Sequence, residues 1–201
     1  MIDNKALFNL SYGLYVLTAR QDGKDNGCII NTCGQVTDSP LQIQISVNKQ
    51  NLTHDMVLQT GVFNISVLTQ EATFWVFQHY GFQSGRDVDK FATLPDVRME
   101  NGVRYVLGCT NTVISAKVVK AVDCGTHTLF IAQVTETKQL DKEPSCTYQY
   151  YFDHIKPKPQ AAEGGKETWV CTVCGYVHEG PLPEDFVCPW CKHGTEAFER
   201  Q

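Results

Sequence analysis

Gln42-Ile43-Gln44-Ile45-Ser46-Val47 alternates polar and apolar residues without a break. A period of two puts Ile43, Ile45 and Val47 on one face of an extended chain and Gln42, Gln44 and Ser46 on the other. That is the pattern of a half-buried β-strand. Working outward, Tyr12-Gly-Leu-Tyr-Val-Leu-Thr18 reads as a strand, followed by a turn at Gln21-Asp22-Gly23-Lys24 and a second strand at Gly27-Cys-Ile-Ile-Asn-Thr32. Downstream, Val62–Leu68, Thr112–Val118 and Thr128–Val134 continue the pattern. Two short helices are predicted between them. One covers 52–60, with Asn51 as its N-cap and Gly61 just past its end. The other covers 70–80, between Thr69 and Gly81, with Trp75, Val76 and His79 at helical spacing. Many strands with few helices predict a mainly β fold closed into a barrel.

The strand pattern stops after Tyr148-Gln-Tyr150-Tyr151-Phe152. There follows Lys156-Pro157-Lys158-Pro159-Gln160-Ala-Ala-Glu163-Gly164-Gly165, stiff first and then flexible. It predicts a large domain at 1–155, a Pro/Gly linker at 156–165 and a small module at 166–201. So short a module cannot bury enough apolar surface to fold unaided. It carries Cys171-Thr-Val-Cys174-Gly175-Tyr176 and Cys188-Pro189-Trp190-Cys191, two C-x2-C knuckles that form a tetrahedral thiolate site. Metal must then supply much of its stability. Zinc would make the site a staple and iron a one-electron carrier; the spacing alone leaves both open.

The net charge is −5. Residues 161–201 hold three basic against seven acidic residues, so the module carries most of it. An acidic module repels phosphate backbones, which argues against nucleic acid as a partner and suits a basic patch on another protein. No apolar run approaches the ~20 residues that span a bilayer, so no membrane partner is expected. The N-terminus lacks a signal-peptide pattern, and a cytoplasmic location is the expectation. Of nine cysteines, Cys28, Cys33, Cys109, Cys124 and Cys146 lie outside the knuckles and are expected as buried small hydrophobes.

There is no dinucleotide-binding glycine turn, P-loop or nucleophile elbow. Three polar segments stand out instead: Asn26–Thr32, Asn48–His54 leading into the first helix, and Gly81–Lys90 with two cations, a hydroxyl and two glycines. Taken singly they read as turn, helix cap and exposed loop.

Together, Tyr12–Thr18, Asn26-Gly27, Ser46-Val47-Asn48-Lys49, Thr53-His54 and Gly125-Thr126-His127-Thr128 resemble the FMN-binding split-barrel flavin reductase family, in its order across 1–155. Thr126 stands where that family has an acid. The resemblance implies a split β-barrel homodimer with FMN near the subunit interface. Carried onto this sequence, Cys28, Ile29, Ile30, Asn31, Thr32, Val47, Asn48 and Lys49 would border the flavin ring and ribityl chain. Thr53, His54, Ser84, Arg86 and Lys90 would hold the phosphate. His127 would lie where a nicotinamide stacks, as the catalytic candidate. Hydride transfer needs two aligned rings and no obligatory acid or base.

The knuckles, with Trp169, Phe186 and Phe198 around them, resemble the short rubredoxins of rubrerythrins. Lys192 stands where rubredoxins place glycine. This likeness implies one iron on Cys171, Cys174, Cys188 and Cys191, with zinc as the alternative. The pairing of the two likenesses resembles the high-molecular-weight rubredoxins. It implies an NAD(P)H-dependent oxidoreductase: hydride from NADH or NADPH to FMN, single electrons to iron, then a protein acceptor of the flavodiiron oxygen or nitric oxide reductase type. Two readings stand beside it. One is a flavin reductase releasing reduced FMN to a monooxygenase, with a structural zinc module. The other is a non-enzymatic flavin and metal protein fed by another reductase.

Overall fold

The computed structural model describes residues 4–157, 167–172, 174–189 and 193–200. Seven strands form one antiparallel sheet: β1 (Tyr15–Gln21), β2 (Lys24–Ile30), β3 (Cys33–Asp38), β4 (Leu41–Asn48), β5 (Val62–Leu68), β6 (Thr110–Asp123) and β7 (His127–Gln139). Their lateral order is β2-β1-β5-β6-β7-β4-β3. β1 and β2 are joined by Asp22 and Gly23, both at positive φ (51° and 81°). That is the two-residue turn whose twist matches a hairpin.

The order of strands contains its own closure argument. β2 and β3 stand at opposite ends of the sheet, yet only Asn31 and Thr32 separate them in sequence. Three Cα–Cα steps span at most about 11 Å, so the sheet must curl until its ends meet there. No ladder joins β2 to β3. The expected closed barrel is therefore a split one. Tyr15 Oη donates to Cys33 O (3.3 Å) and Thr32 Oγ1 to Ser46 O (2.8 Å), tying the corner down.

The alternation at 42–47 is borne out: Ile43, Ile45 and Val47 are buried, with Leu17, Phe63, Ile65 and Phe130 in the same core. Each such side chain contributes roughly 1.5–3 kcal/mol when taken from water. β3 was not anticipated, because its polar residues run along an exposed edge. The strands predicted at 112–118 and 128–134 extend into the long β6–β7 hairpin.

The first helix, α1 (Leu52–Thr60), stands as expected between Asn51 and Gly61 (φ 71°), although Asn51 makes no side-chain cap. The second, α2, runs over Phe74–Gly81. It starts later than predicted because the chain at Thr69 is still extended, bridged to Ser145. Thr69 N donates to Cys109 O and Gln70 N to Pro144 O. Under α2 lies a second core with Leu14, Leu68, Val76, Phe77, Tyr80 and Phe91. The chain then forms a helical turn at Tyr148–Tyr150 that continues over Tyr151–Ile155. The interior of the predicted linker lies outside the described residues. A small sheet of β8 (Thr168–Cys171), β9 (Val177–Glu179) and β10 (Phe198–Arg200) follows, in the order β10-β8-β9.

Candidate functional site

The corner between β2 and β3 opens into a cavity of about 360 Å³ lined by Asn31, Thr32, Ser46, Tyr12, Tyr15 and Leu129, among others. Its size suits a small-molecule site. Beyond Ile45, β4 outruns its pairing with β3, and Ser46 N donates to Thr32 O at 3.3 Å. Ile30 and Val47 send their side chains into the core, so only their backbone is offered to a ligand. Asn48 pairs in register with His127, and Lys49 N donates to Thr126 O. Lys49 Nζ also meets Asp123 at 2.7 Å, and that contact, followed by the Gly125 amide, holds the Asp123 carboxyl below its usual range. His127 is half-buried, with Nδ1 2.9 Å from Thr126 Oγ1.

A second group gathers at the start of α1. Asn26 of β2 is buried; its Nδ2 donates to Thr53 Oγ1 (3.0 Å), while its Oδ1 has no hydrogen-bond partner. Gly85 abuts it so closely that a β-carbon there would fall 2.1 Å from Asn26 Oδ1. Arg86 Nη2 donates to Asp55 Oδ2 (2.8 Å), and His54 Nδ1 lies 2.9 Å from Asp55 Oδ1. The Arg86 hydrogen bond, then that of His54, holds the Asp55 carboxyl low. With Nδ1–H facing a carboxylate, His54 Nε2 accepts from Thr128 Oγ1 at 2.8 Å. Ser84 Oγ accepts from Arg86 N. The fold thus brings Thr53, His54, Ser84 and Arg86 together.

Lys90 departs from the pattern of an exposed phosphate ligand. It is 3 % exposed, and Nζ donates to Gly27 O (2.9 Å) and Tyr80 O (3.0 Å). Burial lowers its pKa to about 8. A phosphate would have to compete for its third proton. Burial also pushes the thiol of Cys28 up, against the pull of Thr53 and Lys90.

These residues fit a flavin. The corner supplies an amide, hydroxyls and open backbone groups for the polar edge of a ring, between Tyr15 and Leu129. The first turn of α1, without a side-chain cap, offers amides to an anion. The orphaned Asn26 Oδ1 is an acceptor that a ligand hydroxyl or N–H would satisfy.

The metal centre is built on two turns. Gly175, at φ 83°, lets its amide reach back to Cys171 O at 2.8 Å, and Cys188 N donates to His193 O at 2.8 Å. The Sγ atoms of Cys171, Cys174 and Cys188 lie within 4.8 Å of one another, all buried, and Cys174 and Cys188 are 3.4 Å apart. Tetrahedral bonds of about 2.3 Å separate sulfurs by about 3.8 Å, so these three fit a single ion. Cys191 and Lys192 lie outside the described residues. Trp169, Tyr176 and Phe186 pack against the thiolates, with Phe198 buried among them, as expected.

Asn26 and Asp55 escaped the site residues assigned from sequence. Asn26 carried a signal, as a polar residue inside an apolar strand; Asp55 carried none before Arg86 was placed beside it. Among the other cysteines, Cys109 and Cys146 are buried like Cys28, but Cys33 is half-buried and Cys124 exposed. Cys33 is still sheltered enough that burial pushes its thiol up to about 12.

A split barrel with a cavity at its open corner, joined to a buried thiolate cluster, defines a flavin-binding redox protein with a rubredoxin-type appendage. Residues 7–158 match the "Flavin reductase like domain" family and 169–199 the "Rubrerythrin, rubredoxin-like domain" family; the chain belongs to the flavin reductase family. It is 35% identical to the high molecular weight rubredoxin of Moorella thermoacetica, over 99% of this chain and 100% of that one. It is 37% identical to the ferric-chelate reductase (NAD(P)H) of Archaeoglobus fulgidus, over 78% of this chain and 92% of that one. A putative diflavin flavoprotein of a Nostoc species matches 68% of this chain at 25% identity, over only 25% of its own length. In fold, the chain resembles the NADH:FAD oxidoreductase SgcE6 of Streptomyces globisporus, with a TM-score of 0.64 and 22% identity over 73% of this chain and 91% of that one. The protein is an NAD(P)H-dependent oxidoreductase of the flavin reductase type with a rubredoxin module. No described helix is long and apolar enough to cross a membrane.

Proposed function

We propose that the chain binds FMN at the β2–β3 corner and one iron on Cys171, Cys174, Cys188 and Cys191, and relays electrons from NADH or NADPH through both to a protein acceptor. The single observation that carries this reading is a buried thiolate cluster on the same chain as a flavin-type barrel. A staple needs no donor, whereas a wire does. When bound, the two groups would convert a two-electron donor into single electrons: one hydride would bring two electrons, these would leave one at a time through the single iron to the acceptor, and one proton would go to solvent.

The residues divide the work. Asn31, Thr32 and Ser46 orient the ring, with the backbone of Cys28, Ile29, Ile30, Val47, Asn48 and Lys49 along its edge. Thr53, His54, Ser84 and Arg86 anchor the phosphate near α1, and Lys90 stiffens the strand beneath them. His127 borders the nicotinamide. Trp169, Tyr176, Phe186 and Phe198 exclude water from the iron. A homodimer is supported by the exposed apolar residues Val36 and Leu41 on and beside β3. A flavodiiron reductase is the expected acceptor, since a segment like this one occurs within a longer diflavin protein.

An anaerobic NADH titration followed in the visible spectrum, with metal analysis of the same sample, tests the reading. Flavin absorbance and ferric–thiolate absorbance should both be lost. Iron that stays oxidised beside fully reduced flavin would sink the internal relay. Flavin that washes off with zinc in the module would favour a reductase that exports reduced flavin.

A further inference from the structure

The two units of the chain touch at a defined place. Phe82, the residue closing α2, packs against the core of the metal module, the cluster of Cys171, Cys174, Cys188, Ala197 and Phe198. Lys156 Nζ donates to Thr172 O at 3.1 Å, within the first knuckle. A β-carbon on Gly175 would come within 3.0 Å of Pro157 O, so that knuckle lies directly on the chain leaving the barrel.

The barrel side of this contact leads straight to the candidate flavin site. Gly81, next to Phe82, sits so close to Ile29 that a β-carbon would lie 3.3 Å from Ile29 Cγ1. Ile29 belongs to β2, beside Cys28 and two residues before the Asn31–Thr32 corner. Phe82 also meets Phe74 across α2, with ring centroids 5.9 Å apart, and Phe74 packs on the second core. One ring therefore contacts the thiolate cluster on one side and is braced by the barrel on the other.

We propose that the end of α2 and the Lys156–Pro157 turn form a docking face for this chain's own metal module, and that Phe82 is the positioning residue that seats the thiolates against β2. The partner is fixed by chemistry on both sides. An aromatic ring meets the apolar surround of the cysteines, and a lysine meets a carbonyl of a module that carries most of the chain's negative charge. The short tether keeps the module's effective concentration high, so a modest face suffices to hold it. The electron-transfer role of this seating rests on the relay proposed above; the docking itself does not.

The test compares the full chain with Phe82→Asp and Phe82→Leu, each loaded with flavin and metal, using hydrogen exchange first. Phe82→Asp should raise exchange several-fold at 151–157 and 168–172, with flavin content and the thiolate–metal spectrum retained, whereas Phe82→Leu should stay near wild type. A zinc-loaded sample should show the same contrast, since docking needs no redox change. Stopped-flow reduction should then show flavin-to-metal transfer slowed by about tenfold or more in Phe82→Asp and restored in Phe82→Leu. Unchanged exchange in Phe82→Asp overturns the docking face. Raised exchange with an unaltered transfer rate overturns the positioning role. Protected exchange in a wild-type chain that never passes electrons to its metal would sink the relay and leave the docking face standing.

Discussion

The barrel closes its core with side chains alone: Leu17, Ile45, Val47, Phe63, Ile65 and Phe130 interlock from four strands. Among the described residues, the metal module's core is three cysteines, Ala197 and Phe198, with a few partly buried rings around them. One unit has enough apolar surface to outweigh its chain entropy; the other has to be held by bonds to an ion. The difference teaches that the two halves of the chain should fail in different ways, and that each failure can be provoked separately.

The largest effect should come from the metal. Chelation, or Cys174→Ser, removes a contribution on the order of 10 kcal/mol to a unit with little else holding it. Residues 168–200 should lose their exchange protection and the thiolate–metal absorbance should vanish, while the barrel's melting transition persists. A barrel that melts together with the stripped module would break the comparison. In the opposite direction, Phe63→Ala should lower the barrel's urea stability by about 3–5 kcal/mol, because Phe63 is fully buried and its neighbours cannot collapse into the gap. The metal spectrum should survive to the same urea concentration as in wild type.

The smallest effect isolates one buried charge. Burial lowers the Lys90 pKa to about 8 in the folded barrel, below the ordinary lysine value of 10.5. Below about pH 8 both states hold the proton, and the cost of burying it is fully present. Between these values the unfolded chain keeps a proton that the folded one has released, so stability rises with pH. The difference in stability between wild type and Lys90→Met should therefore climb over this window, by up to about 1.4 kcal/mol per pH unit. Urea titrations of the flavin-free proteins at several pH values would show it. A flat difference would mean that Lys90 is not confined as the structure places it.

Local signals in the sequence carried much of this architecture. Period two found the strands whose other face is core, and α1 stood out between Asn51 and Gly61. The knuckles needed only their spacing. What escaped depended on distant partners. β3 is an edge strand with an exposed polar face, so it has no alternation to read. α2 starts late because Thr69 is held in extended pairing with Ser145, far along the chain. The burial of Lys90 against Gly27 and Tyr80 and the meeting of Arg86 with Asp55 are likewise visible only after folding. Charge and residue type pointed to the right loops without saying which cation faces inward.

The two-residue corner at Asn31–Thr32 has a mechanical consequence. The sheet is wrapped like a collar fastened at a single stud, with β2 and β3 as its two free flaps. A molecule seated at the stud would touch the fastening itself, at Asn31 and Thr32, and the root of one flap, at Cys33 and Gly34. The garment stiffens when the stud is filled.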